Sequence, residues 1–248
     1  MKIAIYILLI SFLPMAIVSP VDTWSTITAE EMAKETKKIE EFYKSSSAYS
    51  FYITHSTFKN YTTTVAEDKI KGYYVKDAKN NYHSFIMGTH TIQNAKIKMT
   101  IDSLNKMIQV SKPDLSFVKD VKLNEIEEML ALCTSIKKQK GEETKKFKME
   151  FEKKYTYSAY EIWVDNESRL EKLVMYFNAE FPSDPNDEKS AKTKPRGEII
   201  FSNYKTGIKP IYKDHFDESK YITLKGDKYV AAEKYKDYKI YDLRVKTK

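Results

Sequence analysis

The sequence predicts an α+β fold in which a curved antiparallel β-sheet, an unclosed half-barrel, carries helices on its concave face. Two amphipathic helical patterns interrupt a long series of segments in which apolar and polar residues alternate. Such alternation is typical of half-buried strands, and each helix must bury its apolar stripe against the sheet. Two small domains divided near residue 140 are the alternative, because the chain length suits either arrangement.

The N-terminus has the pattern of a secretory signal. Lys2 supplies one positive charge, and an uncharged apolar run extends from Ile3 to Val18 with Pro14 near its end. The run is shorter than the ~20 apolar residues that a membrane-spanning helix needs. We therefore predict a signal peptide over 1–20, with cleavage favoured over a retained anchor. The rest, 21–248, is predicted to be a single exported domain, periplasmic or otherwise secreted.

Composition bears on the class of partner. The net charge is +7, yet only Arg169, Arg196 and Arg244 are arginines, so nearly all the positive charge is lysine. Recognition of bases and phosphates favours the guanidinium fork, and nucleic acid is therefore not an expected partner. Lysines at alternating strand positions instead predict a solvated sheet face. Transient contact with an anionic membrane is the second interpretation.

The first half of the chain reads as a helix followed by a meander. Thr28-Ala29-Glu30-Glu31 fits a capping box, and apolar residues then recur at helical spacing, so we predict a helix over 29–45. Turn signals occur at Asn94 and over 102–106. The predicted strands are 48–58, 69–77, 81–92, 95–102 and 106–111.

The second half begins with another predicted helix. Leu130, Cys133 and Ile136 belong to one apolar stripe within 121–138. Range 182–195 is rich in Asp, Ser, Lys and Pro and is predicted to be a long mobile surface loop. A final strand pair is predicted within 228–245. Further strands are centred on residues 147–151, 160–164, 173–179 and 199–203.

Catalytic and metal-binding patterns find little support. His55, His83, His90 and His215 show no zinc-ligand spacing. His83 and His90 lie seven apart in one predicted strand, so they are expected on opposite faces, unable to share an ion. Cys133, the single cysteine, is predicted to be a buried, inert thiol. We therefore expect no enzyme activity, no cofactor and no metal.

A hydrophobic ligand is the better-supported partner. An open half-barrel leaves apolar surface that a lid or a ligand must cover, and methionine adapts to irregular shapes such as acyl chains. Ordinary core packing beneath the helices is the alternative for the same residues. The residues predicted to line the cavity are Phe85, Met87, Met99, Phe147, Met149, Phe151, Met175, Phe177 and Phe201.

The order of elements resembles a known family. The quoted segments are the N-terminal helix, the hairpin TIDSLNKMIQVSKPD, the central helix, the hairpin YEIWVDNESRLEKLVMYF and the strand RGEIIFSNY. Over about residues 28–225 they resemble the outer-membrane lipoprotein carrier family and its LolA/LolB-like relatives. The chain departs from the family in its many lysines and in the residues after 225.

The resemblance implies an unclosed barrel with helices as a lid over a hydrophobic cavity. It also implies a periplasmic carrier or binder of a lipid-like ligand, either an acyl chain or a lipoprotein. The alternative function is an envelope protein-interaction module without a small-molecule ligand, which would dock a partner through the loop 182–195 and the basic face. An enzyme is the third candidate function.

Overall fold

The computed structural model describes residues 23–45, 48–113, 128–141, 143–184, 186–207 and 215–244. Two short 3₁₀ turns, Glu218–Lys220 and Glu233–Tyr235, lie near the C-terminus. The predicted signal peptide lies outside the described residues. In chain order the elements are β1 Ser25–Thr26, α1 Ala29–Lys44, β2 Tyr49–Phe58, β3 Asp68–Lys76, β4 Tyr82–Ile86, β5 Thr89–Gln93, β6 Lys98–Asp102, β7 Met107–Ser111, β8 Cys133–Lys140, β9 Thr144–Phe151, β10 Tyr157–Asp165, β11 Leu170–Phe177, β12 Phe181–Asp184, β13 Asp187–Thr193, β14 Arg196–Thr206, β15 Ile222–Lys225, β16 Lys228–Ala231 and β17 Lys239–Asp242.

Helix α1 has the start that the sequence predicts. The Thr28 hydroxyl accepts a hydrogen bond from the Glu31 backbone N–H at 3.1 Å, and the Glu31 carboxylate accepts one from the Thr28 N–H at 2.8 Å. This reciprocal pair satisfies two of the donors that a helix leaves open at its first turn. Met32, Ile39 and Tyr43 form its buried stripe. The predicted helix over 29–45 is confirmed.

One large sheet dominates the structure. It has thirteen strands in the order β1-β8-β9-β10-β11-β14-β2-β3-β4-β5-β6-β7-β17, and its two ends do not pair with each other. Neighbouring strands are antiparallel except for β17, which pairs parallel with β7. The predicted fold class, an α+β fold with an unclosed curved sheet, is confirmed.

Each face of this sheet carries a hydrophobic core. On the face beneath α1, which we call the inner face, Phe147 pairs with Ile162 and Phe201 with Ile53. Residues directly opposite each other on neighbouring strands point to the same side, so these pairs share a face. They belong to the same buried cluster as the α1 residue Met32.

The second core lies on the opposite side, the outer face, and at the other end of the sheet. Met99 pairs with Ile92 and Ile101 with Ile108, and these four side chains are almost fully buried. The C-terminal segment 215–244 covers them through Ile222 and Tyr235. The sheet is therefore apolar on its inner face under α1 and on its outer face under the C-terminal segment.

The end of α1 is fixed to the sheet by a buried hydroxyl network. The Tyr43 hydroxyl accepts a hydrogen bond from the Leu170 backbone N–H at 3.1 Å and contacts the Tyr204 hydroxyl. Tyr204 in turn donates to the Leu170 carbonyl at 2.9 Å. Burial raises the pKa of both phenols, so both stay protonated. The network sets the depth at which α1 packs on the inner face.

One predicted strand is a hairpin. Range 81–92 divides into β4 and β5, joined by Met87 at φ 51° and Gly88 at φ 79°. Two successive residues with positive φ give the twist of a tight hairpin turn, and Gly88 takes that conformation without steric cost. The prediction of one continuous strand is therefore wrong.

Three other predictions need correction. Of the predicted helix 121–138, residues 128–130 are helical, Cys133–Lys140 is strand β8, and 121–127 lies outside the described residues. Range 182–195, predicted as a mobile loop, falls within the β12–β13 hairpin and its connection to β14. The predicted C-terminal strand pair is also wrong, because β16 pairs with β15 and β17 pairs with β7. In each case strand pairing determines the structure, locally in the β8–β9 and β12–β13 hairpins and at long range between β7 and β17, and the pattern of residues alone does not specify it.

Candidate functional site

The strongest candidate site is a partly exposed apolar area of the inner face, formed by Phe151, Tyr160, Met175 and Phe177, which we call the inner patch. Tyr160 lies directly opposite Met175 in the β10–β11 pair. Phe151 follows Met149 by two positions in β9, so it points to the same side. All four side chains are partly exposed, whereas Phe147 and Met149 beside them are fully buried.

A glycine lies beneath this patch. Met175 pairs with Gly197 across the β11–β14 ladder. A Cβ atom on Gly197 would lie 3.1 Å from Met175 Cε and 3.6 Å from a Phe177 ring carbon, so both side chains lie over the glycine. The next residue across the sheet is Thr57. The patch therefore adjoins small, uncharged positions, which suits an apolar ligand.

The nine predicted cavity residues do not form one surface. Phe147, Met149, Phe151, Met175, Phe177 and Phe201 share the inner face, as predicted. Phe85 and Met99 lie on the outer face, because Phe85 pairs with Tyr73, and Met99 is buried in the second core. Met87 is 58% exposed at the hairpin turn. These three residues lie elsewhere for two reasons: a turn separates β4 from β5, and the buried apolar side chains of β5–β7 lie on the outer face. Alternation of apolar and polar residues alone specifies neither feature.

Within the inner-face set, burial separates core from candidate site. Phe147, Met149 and Phe201 pack in the cluster beneath α1 and are at most 6% exposed. The alternative interpretation as ordinary core is therefore correct for these three. Only Phe151, Met175 and Phe177 have surface that a ligand could cover.

Two cavities lie away from the inner patch. A cavity of about 290 Å³ is lined by Tyr52, Tyr73, Asn203, Lys205 and His215, among others. Another, of about 470 Å³, lies beside α1 and has a highly charged lining that includes Glu35 and Lys138. Polar groups in these linings would be desolvated by an acyl chain at a cost, so neither suits it as well as the inner patch.

A histidine cluster that the sequence pattern does not predict lies on the outer face. His83 Nε2 lies 3.0 Å from His90 Nδ1, and His83 Nδ1 lies 3.1 Å from His215 Nδ1. The hairpin turn at Met87-Gly88 brings His83 and His90 onto one face, contrary to the prediction. Glycine at position 88 was the signal in the sequence that a turn divides this range.

Other chemistry is limited in the part of the chain that the structure describes. No three His, Cys, Asp or Glu side chains converge there in a way that would hold a metal ion. Cys133, predicted to be buried, is half-buried against the inner-face core, and its burial raises the pKa of its thiol to about 11. A thiol of this kind is a poor nucleophile at neutral pH. Among the described helices, none is long and apolar enough to span a membrane.

The sequence matches no family model and no curated protein. Several solved structures align with it. A LolA superfamily protein from Nitrosomonas europaea is 11% identical over 75% of this chain and 96% of that one, with a TM-score of 0.27. A putative outer membrane lipoprotein-sorting protein domain from Vibrio parahaemolyticus is 13% identical over 77% and 98%, with a TM-score of 0.27. MucB, solved in complex with MucA(peri), is 9% identical over 75% of this chain and 58% of that one, with a TM-score of 0.39.

These similarities concern the fold alone. Two of these proteins carry LolA or lipoprotein-sorting names, but TM-scores of 0.27 carry no argument about this chain. Identities of 9–13% carry no information about ligand or partner.

Proposed function

We propose that this chain is an exported, non-enzymatic binding protein that holds an acyl chain of a lipid-like molecule against the inner patch. The observation that carries the proposal is the partial exposure of Phe151, Met175 and Phe177 next to a fully buried core. A group of partly exposed apolar side chains on one face of a sheet is typical of ligand or partner sites. The predicted export places such a protein in a compartment where lipids must cross water.

The chemistry of the patch favours an acyl chain over a polar ligand. Met175 is unbranched and adapts to a flexible chain, while Phe177 offers a broad face. The Phe177 ring centroid lies 5.1 Å from that of Tyr157, which extends the aromatic surface along the sheet. Both side chains pack over Gly197, which has no side chain of its own to cover them. Each methylene that enters such a site contributes about 0.8 kcal/mol.

The proposal predicts that Phe177→Ala weakens binding of a fluorescent sixteen-carbon fatty acid roughly tenfold or more. The reason is the loss of about 1.5–3 kcal/mol of apolar contact. Fluorescence titration of the purified full chain measures the dissociation constant. Met175→Lys, which introduces a charge into the patch, is expected to weaken binding at least as much.

Tyr52→Ala provides the matched control. Tyr52 is an aromatic residue that is 55% exposed on the outer face, where it lines the cavity of about 290 Å³. Its removal should leave the affinity unchanged. If Tyr52→Ala abolishes binding while Phe177→Ala does not, the ligand occupies the outer cavity and the proposal fails.

A protein partner is the second candidate, favoured by the β12–β13 hairpin, which we call the arm. The arm forms a two-stranded sheet of its own, separate from the large sheet. Phe181 is 53% exposed at its base, and Lys189 and Lys192 are exposed along it. Residues 181–193 contain three acidic residues beside these two lysines, and a hairpin with one large exposed apolar side chain and charges of both signs suits a protein surface.

This second candidate predicts that replacing 181–193 by a short Gly-Ser turn removes co-purifying envelope proteins. The fold should tolerate the change, since the arm pairs only with itself among the described strands. Cross-linking followed by affinity purification of the full-length chain is the measurement. Phe181→Ser should weaken capture in the same direction. Unchanged capture by both variants would exclude the arm as the docking surface.

A further inference from the structure

The histidine cluster, His83, His90 and His215, joins the C-terminal segment to the sheet. His83 is on β4, His90 on β5, and His215 lies at the start of 215–244, 132 positions beyond His83. The Tyr73 hydroxyl lies 3.2 Å from His83 Nε2 and completes the contacts of that ring. Both nitrogens of His83 are therefore engaged, one with a neighbour on the sheet and one with the C-terminal segment.

The surroundings of the cluster disfavour added positive charge. His83 is 3% exposed. The pKa of His83 is lowered to about 3, first by burial and then by the charges of His90, His215 and Lys220. Burial and Lys234 likewise lower the pKa of His90. Tyr73 is neutral near pH 7, since burial raises its pKa. Lys220, which acts on His83, and Lys234, which acts on His90, are thus both cations.

The same segment covers the outer-face core. Ile222 and Tyr235 pack on Ile92, Met99 and Ile108, which are almost fully buried beneath them. Other contacts hold the segment as well. Leu243 N–H donates to the Val110 carbonyl at 2.7 Å, and Lys239 N–H donates to the Lys106 carbonyl at 3.0 Å. These contacts involve no group that titrates between pH 5 and 7.

We propose that the histidine cluster is an acid-sensitive clamp that holds residues 215–244 on the outer face at neutral pH and releases them in acid. Release exposes the apolar outer surface of β5–β7, which is buried while the clamp is closed. When the segment is released, all three histidines are hydrated and take up protons freely. In the closed cluster, burial and neighbouring cations disfavour protonation. Acid therefore favours the open form.

The direction of the pH effect follows from proton linkage. A folded pKa below the ordinary value of 6.5 means that the closed form is fully stabilised above pH 6.5. That stabilisation is lost progressively as the pH falls from 6.5 towards about 3, the folded pKa of His83. The ratio of open to closed segment rises up to about tenfold per pH unit for each proton taken up on opening.

Hydrogen exchange of the full chain at pH 7.0 and 5.0, corrected for the intrinsic pH dependence of exchange, tests the clamp. Peptides from 215–244 should lose protection roughly tenfold or more at pH 5.0, while peptides from β10 and β11 should not change. His83→Gln and His215→Asn should each reduce the pH dependence of 215–244. Replacing the histidine on the segment keeps the test usable if the buried His83 variant does not fold.

The fourth histidine supplies the control. His55 lies on β2, outside the cluster, and His55→Asn should leave the pH dependence of 215–244 unchanged. Equal protection at both pH values in the unmodified chain would overturn the proposal, as would an equal effect of His55→Asn. Release of the segment by EDTA at pH 7.0 would also overturn it, because the cluster would then be a metal site.

Discussion

Phe147→Ala is expected to lower the free energy of unfolding by about 3–5 kcal/mol, because it opens a cavity at the centre of the inner-face core. Phe147 is fully buried, lies opposite Ile162 and belongs to the cluster that contains Met32 of α1. Such a loss is a large fraction of the 5–15 kcal/mol that typically stabilises a domain. Urea unfolding followed by tryptophan fluorescence measures the change.

Leu104→Ala is the matched control for this prediction. Leu104 is 89% exposed in the turn between β6 and β7, so its truncation should change stability by less than about 0.5 kcal/mol. A loss below about 1 kcal/mol for Phe147→Ala would mean that Phe147 does not pack beneath α1. The inner face would then be more open than described.

Ending the chain at Gly207 is expected to have a larger effect still. The truncation removes the segment that covers the outer-face core, and it also removes β17, the edge strand paired with β7. Several large apolar side chains would become exposed, each representing about 1.5–3 kcal/mol of burial. We expect strong binding of the dye ANS, aggregation, and a lower urea midpoint.

Replacing the arm, 181–193, by a short turn is the control for truncation. It also removes two strands, but neither pairs with the large sheet. The urea midpoint of the arm variant should therefore stay close to that of the unmodified chain. If the chain ending at Gly207 also keeps that midpoint and does not bind ANS, the outer-face core contributes little to folding.

Local signals in the sequence predict the fold where they are strong. The capping box at Thr28 and Glu31 specifies the start of α1, and alternation specifies most strands. The β4–β5 hairpin is missed because Met87, at φ 51°, adopts a conformation that its residue type seldom takes. The segment from Cys133 is misassigned because Cys133 and Ile136 fit helical spacing, whereas pairing with β9 makes it a strand.

The candidate site is only partly predictable for a related reason. Alternation divides each strand into two sets of side chains but does not say which face a distant segment will cover. Phe85 and Met99 are therefore assigned to the wrong face, because residues 215–244 cover the outer side of β5–β7. Burial under α1 then removes Phe147 and Met149 from the site. The histidine cluster depends on His215, whose partners are more than a hundred positions away.

Photo-cross-linking of a diazirine-bearing fatty acid to the full-length chain tests the proposed acyl-binding function most directly. The account predicts adducts concentrated on the inner patch, at Phe151, Met175 and Phe177, and their loss when unlabelled fatty acid is added in excess. Adducts on Tyr52 and Tyr73 of the outer cavity, or adducts spread over the surface and insensitive to competitor, would contradict it.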